Sequence, residues 1–90
     1  MPSCQITIIN KLGLHARAAA KFVSVANAFP CQVQVGREAT TLCNGKNIMS
    51  VMMLAASKGT QLHLNTQGEQ ADEALAALQE LINARFDEDS

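Results

Sequence analysis

Near the end of the chain, Ala71, Ala74, Leu75, Leu78, Leu81, Ile82 and Phe86 recur at the spacing of one helical face, the most regular apolar stripe in the sequence. A helix striped on one side has to lay that side on something apolar, and the segments before it supply short strands. Residues Cys4 to Ile9 alternate, with Cys4, Ile6 and Ile8 on one face and Gln5, Thr7 and Ile9 on the other. Cys31, Val33 and Val35 alternate with Gln32, Gln34 and Gly36, and Ala39 to Cys43 reads as a shorter partner across a hairpin turning near Gly36 to Glu38. Leu62 and Leu64 alternate with Gln61, His63 and Asn65 in a fourth strand, with Gly68 in the turn after it. Between the strands, Ala19, Phe22, Val23 and Ala26 predict a first helix over Ala16 to Asn27. Asn47, a plausible N-cap, opens a short second helix carrying Ile48, Met49, Val51, Met52 and Leu54.

The order is strand, helix, strand, strand, helix, strand, helix, with no repeat or linker, so residues 1–90 read as a single α+β domain. The helices are expected to cover one face of an antiparallel sheet and leave its polar face to water. Ninety residues leave no room for a deep, enclosed substrate cleft. The formal net charge is -1, the only aromatic side chains are phenylalanines, and Asp87, Glu88 and Asp89 cluster at the exit. That balance offers neither the basic surface nor the stacking platforms of a nucleic-acid binder, so proteins are the expected partners. The longest apolar run, Val51 to Ala56, cannot span a bilayer, and a cytoplasmic protein with no membrane attachment is expected. Cys4, Cys31 and Cys43 are widely spaced and form no CxxC pair, so free thiols are expected, with no metal site and no cofactor.

Chemistry concentrates where the first loop hands over to the first helix, at Gly13-Leu14-His15-Ala16-Arg17. The first amides of a helix lack intrahelical partners, and the macrodipole adds partial positive charge, so an anion carried by His15 would meet the backbone N–H groups of Ala16 and Arg17. The Arg17 side chain can add a charge-assisted hydrogen bond. The same environment favours a neutral imidazole with one ring nitrogen free as a nucleophile. Taken alone, a histidine and an arginine near a helix start are more commonly capping or solvated groups. No Walker-type loop accompanies them, so the chain lacks the parts to cleave a nucleotide and would need another protein as phosphoryl donor.

Lys11-Leu12-Gly13-Leu14-His15-Ala16-Arg17 resembles the active-site segment of the HPr family of the bacterial phosphotransferase system. Asn44-Gly45-Lys46-Asn47-Ile48-Met49-Ser50-Val51-Met52-Met53-Leu54 is similar to the family's second-helix signature, and Ala56-Ser57-Lys58-Gly59 to the turn behind it. The resemblance implies an HPr-like open-faced β-sandwich, a four-stranded antiparallel sheet with three helices on one face. It implies a phosphocarrier and not an enzyme: His15 would take a phosphoryl group on Nδ1 from a phosphoenolpyruvate-dependent enzyme I and pass it to an enzyme IIA-type acceptor, assisted by Arg17. It also implies a docking surface from Ile48, Met49 and Met52, joined by Ala20 and Ser24 of the first helix, on a monomer visiting its partners in turn. Periodicity alone leaves open whether those second-helix side chains face out or pack inward.

Two departures from the family pattern carry weight. Ala18 stands where proline is usual, which changes how rigidly the first turn is pre-organised without closing the site. Asn47 stands where many relatives carry a regulatory serine, so capping survives and control by phosphorylation there does not. Both are similar to the nitrogen-related branch of the phosphotransferase system, whose output is regulatory. The competing readings are the carrier of the sugar-uptake branch, a regulatory binding module that transfers nothing, and a small ligand- or RNA-binding domain of similar architecture.

Overall fold

The computed structural model describes residues 2–88. Its elements follow the expected order: β1 (Ser3–Thr7), α1 (Ala16–Asn27), β2 (Gln32–Glu38), β3 (Thr41–Asn44), α2 (Ile48–Met52), β4 (Gln61–Gln67) and α3 (Ala71–Asn83). The strands form one antiparallel four-stranded sheet in the order β1-β4-β2-β3. β1 and β2 therefore both pair with the late strand β4, and the chain cannot complete its sheet until most of it has been made. The three helices lie on one face, so the open-faced α+β sandwich holds.

The register explains the two-sided character of the sheet. Ile6 pairs with Leu62, and Val35 and Cys4 flank Leu64 from either side. These residues project toward the helices, and Ile6, Val33, Val35, Leu62 and Leu64 are buried there against Phe22, Ala26, Ala74, Leu78 and Ile82. Gln5, Gln32 and Gln34 fall on the opposite phase and are exposed. Thr66 is a buried polar residue in the inward row, and its hydroxyl donates to the Ala71 carbonyl at 2.8 Å, tying the end of β4 to the start of α3.

Three expectations need correction. β1 ends at Thr7 and not Ile9, although Ile8 keeps its inward phase, buried and bonded through its backbone to Thr60 and Gly59. The hairpin turns at Ala39 and Thr40, because Gly36 stays inside β2: a Cβ there would sit 2.2 Å from the Thr41 carbonyl oxygen, so glycine is what lets β3 approach, and a bulge between Val35 and Glu38 absorbs the extra length. Finally, α3 stops at Asn83. Phe86 is fully buried as foreseen, but it reaches the core from a left-handed turn, not from the helical stripe.

Candidate functional site

The loop from Asn10 to His15 is held at both ends. Asn10 is fully buried, and its Nδ2 donates to the Gly13 carbonyl at 2.8 Å. The Leu14 amide donates to the Ala56 carbonyl at 2.8 Å, while the Leu14 side chain is buried. Gly13 adopts φ +66 between these two anchors, packed against the backbone of Ala56 and Ser57. Those contacts bring the histidine loop and the loop after α2 together, two of the stretches that carry the family resemblance.

His15 is the N-cap residue of α1, with φ -75 and ψ 178 and no capping bond from its side chain. Its carbonyl accepts from the Ala19 amide at 2.8 Å, the first bond of the helix. The ring is thus left for other partners beside amides that have no acceptor within the helix. Ala16 and Arg17 are the first helical residues and both are exposed, whereas Ala18 and Ala19 are buried, so Ala18 occupies the usual proline position while facing the core.

The ring's Nε2 meets the Glu88 carboxylate, a residue that sequence reading placed only in an acidic cluster at the exit. The other Glu88 oxygen accepts from Asn10 Nδ2 at 2.9 Å. With acceptors on both sides of that nitrogen, the orientation of the Asn10 amide is determined, and its Oδ1 is left buried without a partner among the described residues. Asn10 and Glu88 are the site residues that motif reading missed. Nothing local signals them, because they meet only through the tertiary fold. Asp89 of the acidic cluster lies outside the described residues.

The Asn10 hydrogen bond holds the Glu88 carboxyl below its usual carboxylate range; burial pushes the other way, and the bond and charge of His15 and the charge of Lys21 add to the lowering. A carboxyl lowered on folding adds stability above its unfolded pKa and loses it as pH falls through the folded value. Thermal melts of wild type and Glu88→Gln are therefore expected to differ at pH 7, wild type melting higher, and the gap to narrow as the pH falls below the carboxyl's ordinary range. A gap that persists unchanged at pH 3 would contradict this origin.

The second helix answers the open question of the methionines. Asn47 caps it, its side chain accepting from the Ser50 amide at 3.1 Å, and Val51 alone within α2 is buried. Ile48, Met49 and Met52 are exposed, and Met53 just beyond is 80% exposed. Ala20 and Ser24 are exposed on α1, which packs against α2. Cys31 is buried, and Cys4 and Cys43 are half-buried; all are free thiols, and burial pushes those of Cys4 and Cys43 up. No His, Cys, Asp or Glu cluster among the described residues has the makings of a metal site.

A family profile described as "PTS HPr component phosphorylation site" matches residues 2–84. The phosphocarrier protein HPr of Pseudomonas aeruginosa is 72% identical over 88 residues, covering 98% of each chain. The phosphocarrier protein NPr of Escherichia coli is 37% identical over 84 residues, covering 93% of each. Among solved structures, an HPr from Thermoanaerobacter tengcongensis superposes with a TM-score of 0.93 at 40% identity, covering 100% of both chains. The chain belongs to the HPr family. It is a phosphocarrier of the phosphotransferase system, not an enzyme, with enzyme I and IIA-type proteins as the family's partners.

Proposed function

We propose that His15 carries the phosphoryl group on Nδ1, received from an enzyme I-type donor and passed to an enzyme IIA-type acceptor. The observation that carries this reading is the placement of His15 as the N-cap of α1, its ring outside the helix and its neighbours Ala16 and Arg17 exposed with their amides at the helix start. Those amides and the Arg17 guanidinium hold the phosphoryl oxygens, and a shallow site admits two different proteins in turn. The carrier acts as a cytoplasmic monomer. Its branch is the nitrogen-related one, a reading that rests on Ala18 and Asn47.

The docking face is the apolar patch of Ile48, Met49 and Met52, extended by Met53 and flanked by Ala20 and Ser24. Methionine suits a surface that must fit several partners because its side chain adapts its shape. Met49→Glu is expected to weaken binding to enzyme I by about tenfold or more while leaving the melting temperature nearly unchanged, since Met49 is 64% exposed. Calorimetric titration and a thermal melt check both halves.

Labelled phosphate from phosphoenolpyruvate, supplied through enzyme I, tests the relay in wild type and His15→Ala. An acid-labile, alkali-stable label confined to wild type is expected, formed faster with the nitrogen-branch enzyme I than with the sugar-branch one. Faster labelling by the sugar-branch enzyme reassigns the branch, and an unlabelled wild type with both removes the relay.

A further inference from the structure

Glu88 lies far from His15 in sequence, yet its carboxylate meets Nε2 of that ring and is fixed there from its other side by Asn10. The chain goes to some length to put it there. Arg85, Phe86 and Asp87 take φ values of 58, 53 and 64, a run of left-handed residues without glycine. Such backbone persists only where the surroundings over-determine it, and it is a feature of functional segments. Here Phe86 is buried in the core, its carbonyl accepts from Lys21 Nζ at 2.7 Å, and the Glu88 amide closes the turn onto the Arg85 carbonyl at 2.9 Å.

We propose that Glu88 is the positioning residue for phosphoryl transfer at His15, resting on the reading that His15 Nδ1 is the acceptor. An imidazole nitrogen that carries a proton has no lone pair to attack with, and which nitrogen carries it is set by the partner of the other. A carboxylate at Nε2 accepts the Nε2–H and so leaves Nδ1 bare. When the Nδ1 lone pair forms its bond to phosphorus, the bond from phosphorus to the donor breaks and its electron pair stays on the donor. No proton leaves the ring, which now holds both the phosphoryl group and the Nε2–H and has gained a positive charge. Glu88 faces that charge directly, already in place before the reaction. Onward transfer returns the bonding pair to Nδ1 and restores the neutral ring, again without moving a proton. The carboxylate does for this ring what the buried aspartate does for the histidine of a serine protease triad.

The test pairs nitrogen-15 spectra of the unphosphorylated ring in alkaline buffer with initial rates of labelling through enzyme I, for wild type, Glu88→Ala and Glu88→Gln. Wild type is expected to hold its proton on Nε2. In Glu88→Ala the ratio of Nε2–H to Nδ1–H falls at least about threefold and labelling slows by about tenfold. Glu88→Gln has one acceptor oxygen where Glu88 uses two, so with that oxygen kept by Asn10 its NH2 faces Nε2, the proton shifts to Nδ1 further than in Glu88→Ala, and labelling is slow. A merely structural role for Glu88 would not separate these two variants. If wild type labels and Glu88→Ala matches it within twofold in both ratio and rate, the positioning role is overturned and the relay stands. If wild type does not label at all, the relay itself fails and takes this role with it.

Discussion

Gly13→Ala is expected to lower the unfolding free energy by about 3 kcal/mol and to slow phosphoryl acceptance at the same time. Two costs add at this position. The left-handed φ of +66 disfavours any residue with a Cβ, by roughly 1–2 kcal/mol. The new methyl would also lie 2.6 Å from the Ala56 carbonyl oxygen and 2.8 Å from Ser57 Cα, and both are backbone atoms that cannot swing aside. The Ala56 oxygen is the acceptor of the Leu14 amide, so relief of the clash must loosen the bond that seats the residue before His15. Gly59 supplies the control, because it too has a positive φ, +93, but nothing lies within 4 Å of a Cβ placed on it. Urea titrations of both variants separate the terms: Gly59→Ala keeps only the conformational cost. Equal losses for the two would show that the contact with the loop after α2 contributes nothing.

Much of the architecture was legible because one face of each element is buried and the other is wet. The inward rows Cys31-Val33-Val35 and Leu62-Leu64 follow from period alone. The hairpin was misplaced for a specific reason: glycine serves turns and close strand approaches equally well, and Gly36 is of the second kind. The exposure of Met49 and Met52 was undecidable because α2 spans only Ile48–Met52, too little chain for a stripe to declare its direction. At the site, the helix-start position of His15 was readable from the loop and helix signals around it. Asn10 and Glu88 were not, since one resembles an ordinary loop breaker and the other a solvated terminal charge. Their part depends on where Phe86 drops into the core, and a left-handed turn built without glycine leaves no mark in composition.

That dependence makes Phe86→Ala the most costly single change foreseen outside the histidine. Phe86 is fully buried in the cluster that includes Phe22, Leu78 and Ile82, and its truncation is expected to cost about 3–5 kcal/mol. In a domain of this size that is a large share of the total, so denaturant midpoints at low temperature are the safer measure, with Phe86→Leu as a milder companion. The loss has a second consequence that ordinary cavity formation does not. The left-handed run at Arg85, Phe86 and Asp87 costs roughly 1–2 kcal/mol per residue, and the buried ring is its apolar anchor beside the Lys21 and Arg85 hydrogen bonds. Without the ring the turn relaxes, and Glu88 leaves Asn10 and His15. Glu88→Gln, expected to lower the melting temperature of wild type at pH 7, is then expected to have no effect in the Phe86→Ala background, and labelling of Phe86→Ala is expected to match that of Glu88→Ala. If the Glu88→Gln effect is the same in both backgrounds, the two residues act independently and the anchor is not what delivers the carboxylate.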